Sequence, residues 1–109
     1  MRAIMLLALL PAIALAALVA KAAGVRVEVE GGHQLAQAWC TSCHAVEPGQ
    51  SVGPYADVPS FAAVAQMPST TASALNAFLT TPHGDMPDVK LSQQQRVDIV
   101  TYILSLRGK

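Results

Sequence analysis

Two cysteines, Cys40 and Cys43, stand three apart, and a histidine follows the second at once, giving Cys40-Thr41-Ser42-Cys43-His44. Cys-x-x-Cys-His is the spacing of a c-type haem attachment site. Each thiol adds to one of two neighbouring vinyl groups, and the two-residue spacer lets both reach. The imidazole of His44 then stands over the ring plane as an axial iron ligand. Three other chemistries compete for the pattern. A zinc knuckle needs two further ligands at compatible spacing, and the chain has no second cysteine pair. A thioredoxin-like redox pair needs a βαβ setting that this chain lacks. A disulfide between cysteines this close would close a tiny loop and stabilise little. One covalent haem c is therefore the expected cofactor, held by Cys40 and Cys43.

The sixth iron position decides what such a haem does: left open it admits small ligands, and filled it only shuttles electrons. The candidates are Met86, His83, Met67 and His33, with Met1 and Met5 near the start of the chain. Met86 lies in Pro82-His83-Gly84-Asp85-Met86-Pro87, a turn-rich loop from which a thioether can swing onto the iron while Pro87 stiffens it. Met67 closes a helical run, where core filling is the plainer role. His33 is only seven residues before Cys40, with a helix between, so its reach to the opposite face is poor. His83 is the rival to Met86, since imidazole is a good ligand and shares the loop. Otherwise it is a solvent-facing loop residue. Met86 is the expected ligand, and a His/Met pair raises the reduction potential relative to two nitrogen ligands.

These residues need elements to carry them. In the 109-residue chain, 52 % of residues are hydrophobic but only 5 % aromatic. Residues 3–20 carry no charge and supply much of the apolar excess. Fewer than ninety residues remain for a core, a size that often leans on a cofactor. A haem would fill that thin middle. Met1-Arg2, the apolar stretch, and the small residues of Ala20-Lys21-Ala22 and Ala22-Ala23-Gly24 read as a secretory signal with two cleavage options. The rival is an uncleaved anchor: eighteen residues span roughly 27 Å as a helix, just short of a hydrocarbon core, and Pro11 interrupts it. Residues 1–23 are thus expected as signal peptide or N-terminal anchor, and 24–109 as the haem domain. Either way the domain is exported, to the periplasm, with residues 3–20 as a membrane tether if retained.

Past the leader, Val25, Val27 and Val29 alternate with Arg26, Glu28 and Glu30, the pattern of a short extended segment or a tether, and Gly31-Gly32 predicts a break. Residues 33–39 read as a short helix with Leu35, Ala38 and Trp39 on one face. Residues 47–59, rich in proline and glycine, form a loop. Ser60 caps a short helix beginning at Phe61 and stopping at Met67-Pro68. Ser69, Thr70 or Thr71 caps another, with Leu75, Phe78 and Leu79 at helical spacing. The last helix has a capping box of Ser92 and Gln95, and Val97, Val100, Ile103 and Leu104 mark its buried stripe out to Leu106. Arg107 and Lys109 at its end suit the helix dipole. The fold class is all-α, with several short helices and loops.

Taken in order, these motifs resemble the class I cytochrome c family, specifically its small bacterial monohaem members, over residues 31–106. The features are Gly32 eight residues before Cys40, the attachment motif, Gly53-Pro54, Met86-Pro87 and a closing helix bearing Tyr102. The resemblance implies the cytochrome c fold wrapped around one covalent haem. It further implies a close crossing of first and last helices at Gly32, with Tyr102 packed there. The carbonyl at a Gly-Pro such as Gly53-Pro54 would orient the His44 imidazole, and the Met86 loop would supply the distal ligand. Two departures stand out. Ala36 occupies the place of the first-helix aromatic, with Trp39 just before Cys40 instead, and the lysines that ring the haem edge in mitochondrial relatives are absent. Tyr55 and Trp39 are the candidates for haem-propionate partners, against simple packing.

The expected function is one-electron transport between redox proteins, a donor and an acceptor, as in a respiratory chain, with no bound substrate and so no enzyme activity. A monomer is expected. The alternatives are a cytochrome subunit attached to a separate dehydrogenase or oxidase and, more distantly, a haem-based gas sensor. Without Arg2 and Lys21 the chain has five basic and seven acidic residues, about −2 net, which argues against nucleic-acid binding.

Overall fold

In the computed structural model the described residues form four helices: α1 (Arg2–Trp39), α2 (Phe61–Gln66), α3 (Ala72–Thr80) and α4 (Gln93–Ser105). The backbone is described from residue 2 and the side chains from residue 11. The side chains of Met1, Arg2 and Met5 therefore lie outside the described residues. Among the described residues the only β pairing is an isolated antiparallel bridge between His83 and Met86. The all-α class expected from the sequence is what the chain adopts.

The first helix departs from expectation. It runs unbroken through Pro11, through the alternating valines and through Gly31-Gly32. The valine alternation does not produce an extended segment because no strand partner is present among the described residues and helix propensity differs by only ~0.5 kcal/mol per valine. The glycine pair does not break the helix because it is where α1 crosses α4. A Cβ on Gly32 would lie 2.0 Å from the Asp98 carbonyl oxygen and 2.7 Å from the Tyr102 Cβ. Only glycine lets the two backbones approach so closely, which offsets its helix penalty of about 1 kcal/mol.

The close crossing also changes which face of α1 is buried. Gly32 and Ala36 point inward, with Val29 and Leu35 packed beside the core. Of Leu35, Ala38 and Trp39, expected to share one face, Leu35 is partly buried whereas Ala38 and Trp39 are exposed. Ala36 is completely buried, so its small side chain serves the same close approach as Gly32. Nearer the start of α1, Ile13, Leu15, Leu18 and Val19 are all exposed. Among the described residues no helix is long and apolar enough to cross a membrane.

The remaining helices begin and end where the sequence indicates. The Ser60 side chain accepts from the Ala63 amide and Met67 ends α2; Thr71 accepts from the Ala74 amide at the start of α3. Ser92 and Gln95 form the full capping box of α4. The buried stripe of α4 is rotated from the one expected: Ile99, Val100, Tyr102, Ile103 and Leu106 are buried, whereas Val97 is exposed. Arg107 does not act at the helix dipole alone. Its guanidinium reaches the carbonyls of Ala65 (3.0 Å) and Thr70 (2.6 Å), and Gln66 donates to the Leu106 carbonyl at 3.0 Å. The end of α2 is thus tied to the end of α4.

Candidate haem-attachment site

The attachment motif begins where α1 ends. The Cys40 amide donates back to Ala36 at 2.9 Å, and the amides of Cys43 and His44 both donate to the Cys40 carbonyl, at 3.2 and 2.8 Å. One further turn therefore carries both thiols and the imidazole. Neither cysteine is engaged in a disulfide, and both are partly exposed. Before attachment, burial pushes the Cys40 thiol up to about 11.

The imidazole is held from the far side. His44 Nδ1 lies 2.8 Å from the Pro59 carbonyl. A carbonyl can only accept, so Nδ1 carries the proton and Nε2 keeps its lone pair for a metal. Such an outer hydrogen bond fixes both tautomer and ring orientation. The Gly53-Pro54 carbonyl was the expected partner, and the structure assigns that bond to Pro59 instead. Gly53 has a different part in the site: a Cβ there would meet the Ala45 amide nitrogen at 2.7 Å, so the loop lies directly on the backbone that follows His44. The Phe61 amide donates to the Ala45 carbonyl at 2.9 Å. Its ring sits 5.4 Å from that of His44 and 6.4 Å from that of Tyr102.

A second set of contacts clamps the segment after the motif. Tyr102, almost wholly buried, donates its hydroxyl to the Val46 carbonyl at 2.6 Å. His33 stacks on the Tyr102 ring, 4.9 Å between centroids and 23° from parallel, and donates to the Glu47 carboxylate at 2.8 Å. Gln37 donates to the other Glu47 oxygen, also at 2.8 Å. The hydrogen bonds from Gln37 and His33 lower the Glu47 pKa. His33 thus has structural partners in this clamp.

Met86 comes from the separate loop between α3 and α4. It is partly buried, and its amide donates to the His83 carbonyl at 3.2 Å. Arg96 steadies that loop's far end by donating to the Leu91 carbonyl at 2.8 Å and to Asn76 of α3 at 3.2 Å. Met67, expected to fill the core, is instead 43 % exposed at the end of α2. Trp39, Tyr55 and Phe78 are also exposed in the polypeptide. The contributions of Pro59, Glu47, Arg96 and Arg107 were not foreseen. Each acts across a chain separation with no periodic signal in the sequence.

The donor set suits a haem rather than a bare ion. Among the described residues no three His, Cys, Asp or Glu side chains gather to hold a metal. What is present is a thiol pair on one turn and an oriented imidazole with a free nitrogen.

Comparison with known proteins accounts for this arrangement. The chain belongs to the family described as cytochrome C oxidase, cbb3-type, subunit III, which matches residues 27–103. It is a small bacterial c-type cytochrome, with covalently bound haem c as its cofactor and electron carriage between redox partners as its role. It is 45 % identical over 91 residues to cytochrome c-552 of Bradyrhizobium diazoefficiens, covering 82 % of this chain and 86 % of that one. No solved structure matches it significantly.

Proposed function

We propose that Cys40 and Cys43 hold the haem through thioethers, that His44 Nε2 and the Met86 sulfur are its axial ligands, and that the protein carries single electrons in the periplasm. The observation that carries the reading is the 2.8 Å contact of His44 Nδ1 with the Pro59 carbonyl, which leaves Nε2 free one residue beyond a thiol pair. The haem, when bound, supplies a one-electron Fe(III)/Fe(II) couple. The chain's residues do the rest. Pro59 fixes the imidazole and makes it a better donor. The soft Met86 thioether favours the reduced state, and burial disfavours the extra positive charge of the oxidised one. Neither ligand takes up or releases a proton in the cycle.

Residues 1–23 export the domain of residues 24–109, as a cleaved signal or as a retained anchor. The exposure of Ile13, Leu15, Leu18 and Val19 supports a role for that stretch outside the domain core.

The visible spectrum of the oxidised protein tests the ligand assignment. A six-coordinate low-spin spectrum with the weak red thioether–iron band is expected, and Met86→Ala should abolish that band. Its survival in the variant would remove Met86 as ligand. A second reading, that the domain is a subunit wiring electrons to a separate oxidase, is favoured by the family's own description. Stoichiometric co-purification with an oxidase would support it over a free carrier.

A further inference from the structure

His83 and Met86 face each other across the two-residue turn Gly84-Asp85, paired as an antiparallel bridge. Residues directly opposite in such a pair project their side chains to the same face, with Cβ atoms about 4.5–5.5 Å apart. The turn is tight because Gly84 sits at φ 49°, a left-handed conformation that glycine adopts without steric cost. The face of the turn that presents the Met86 thioether therefore presents an imidazole as well.

That imidazole is already arranged for a metal. His83 Nδ1 lies 2.9 Å from the Thr81 carbonyl, so Nδ1 carries the proton and Nε2 keeps its lone pair. This is the same device that Pro59 provides for His44. The ring meets the edge of Phe78 at 4.9 Å and 87°, and both His83 and Met86 are partly buried. A shallow depression of about 220 Å³ lined by Ala77, Phe78, Thr81 and His83 lies beside the ring.

We propose that His83 is a second axial-ligand position on the Met86 turn, taking the iron through Nε2 when the Met86 thioether is lost. This rests on the assignment of Met86 as ligand. One neutral two-electron donor replaces another: the bond to sulfur breaks and a bond to nitrogen forms. No proton is released, because Nε2 carries none, and the iron keeps its oxidation state. Hydrogen peroxide is one cause of such a loss, delivering an oxygen atom to the sulfur as water leaves. The protein would then remain six-coordinate and closed to small ligands, at a lower potential, since two nitrogen ligands hold the oxidised state better than a nitrogen and a thioether.

The test compares haem-loaded full-length Met86→Ala with Met86→Ala/His83→Ala. The single variant should be low-spin, without the red thioether band and with a lowered reduction potential. The double variant should be high-spin and bind carbon monoxide at once when reduced. High-spin spectra in both would overturn the proposal. A red band persisting in Met86→Ala would instead overturn the Met86 assignment, so the two failures are distinct. Met86→Leu, which keeps the side-chain volume, repeats the comparison if the alanine variant loads poorly. Wild type and His83→Ala treated with hydrogen peroxide provide an arm that changes no residue at position 86. Loss of the red band should leave wild type low-spin and His83→Ala high-spin; high-spin wild type would count against His83.

Discussion

Tyr102 concentrates several demands in one side chain. Its ring fills the α1–α4 crossing between His33 and Phe61, and its hydroxyl satisfies a buried carbonyl beside the haem motif. Removing only that hydroxyl leaves the Val46 carbonyl without a partner, so Tyr102→Phe should cost about 1–2 kcal/mol in urea unfolding of the haem-loaded protein at neutral pH. Burial first, and the Glu47 carboxylate second, push the Tyr102 hydroxyl up to about 12 from its ordinary 10. The folded state thus prefers the neutral phenol. Its contribution to stability is complete below the unfolded value and is lost as pH rises through about 12. The unfolding free energy measured from pH 9 upward should therefore fall more steeply in wild type than in Tyr102→Phe. Parallel curves would remove Tyr102 as the source. From sequence, Tyr102 was legible only through the resemblance to cytochromes c. Its partner Val46, 56 residues away in the chain, carries no local mark.

At the scale of elements, the crossing of α1 and α4 organises everything that positions the motif. It aims the end of α1, and so Cys40, and it sets the α4 face on which Ile99, Tyr102 and Ile103 are buried. Gly32→Ala would drive a methyl group into backbone, 2.0 Å from the Asp98 oxygen, and neither helix can yield locally. A loss of about 3 kcal/mol or more is expected, at the upper end for overpacking, read as a lowered melting temperature of the haem-loaded protein. A change under 1 kcal/mol would mean the helices cross less closely than described. Ser60 and Ser92 were readable in the sequence as caps, and Thr71 as one of three adjacent candidates, because a cap is a contact within three residues. The face each helix buries was read less well. Val97 was expected inward and is exposed, because the close approach of α1 at Gly32 and Ala36 puts Ile99, Tyr102 and Ile103 of α4 against it instead.

For the whole molecule, the core is slight. Its largest fully buried side chains are Ile99, Leu106 and Val46, while Trp39, Tyr55, Phe78 and Val97 remain exposed in the protein part alone. Domains of this size seldom hold together on such a core without a staple. Haem should therefore act as a structural component as well as a redox centre. A Cys40→Ala/Cys43→Ala protein, unable to attach haem, should lose its cooperative thermal transition and bind a hydrophobic dye. A sharp transition near that of the haem-loaded protein would show the polypeptide core to be sufficient.

Chain order alone carries the local chemistry: the Cys40 to His44 motif and the helix caps, and with the motif the family and its cofactor. Each of these is written in neighbours a few residues apart, so spacing alone carries it. Packing settles what chain order leaves open: that Gly31-Gly32 joins rather than breaks α1, that the Pro59 carbonyl rather than that of Gly53-Pro54 meets the imidazole, and that His83 shares a face with Met86. Those outcomes depend on which backbone lies against which. A glycine reads the same in a sequence whether it ends a helix or admits a second one.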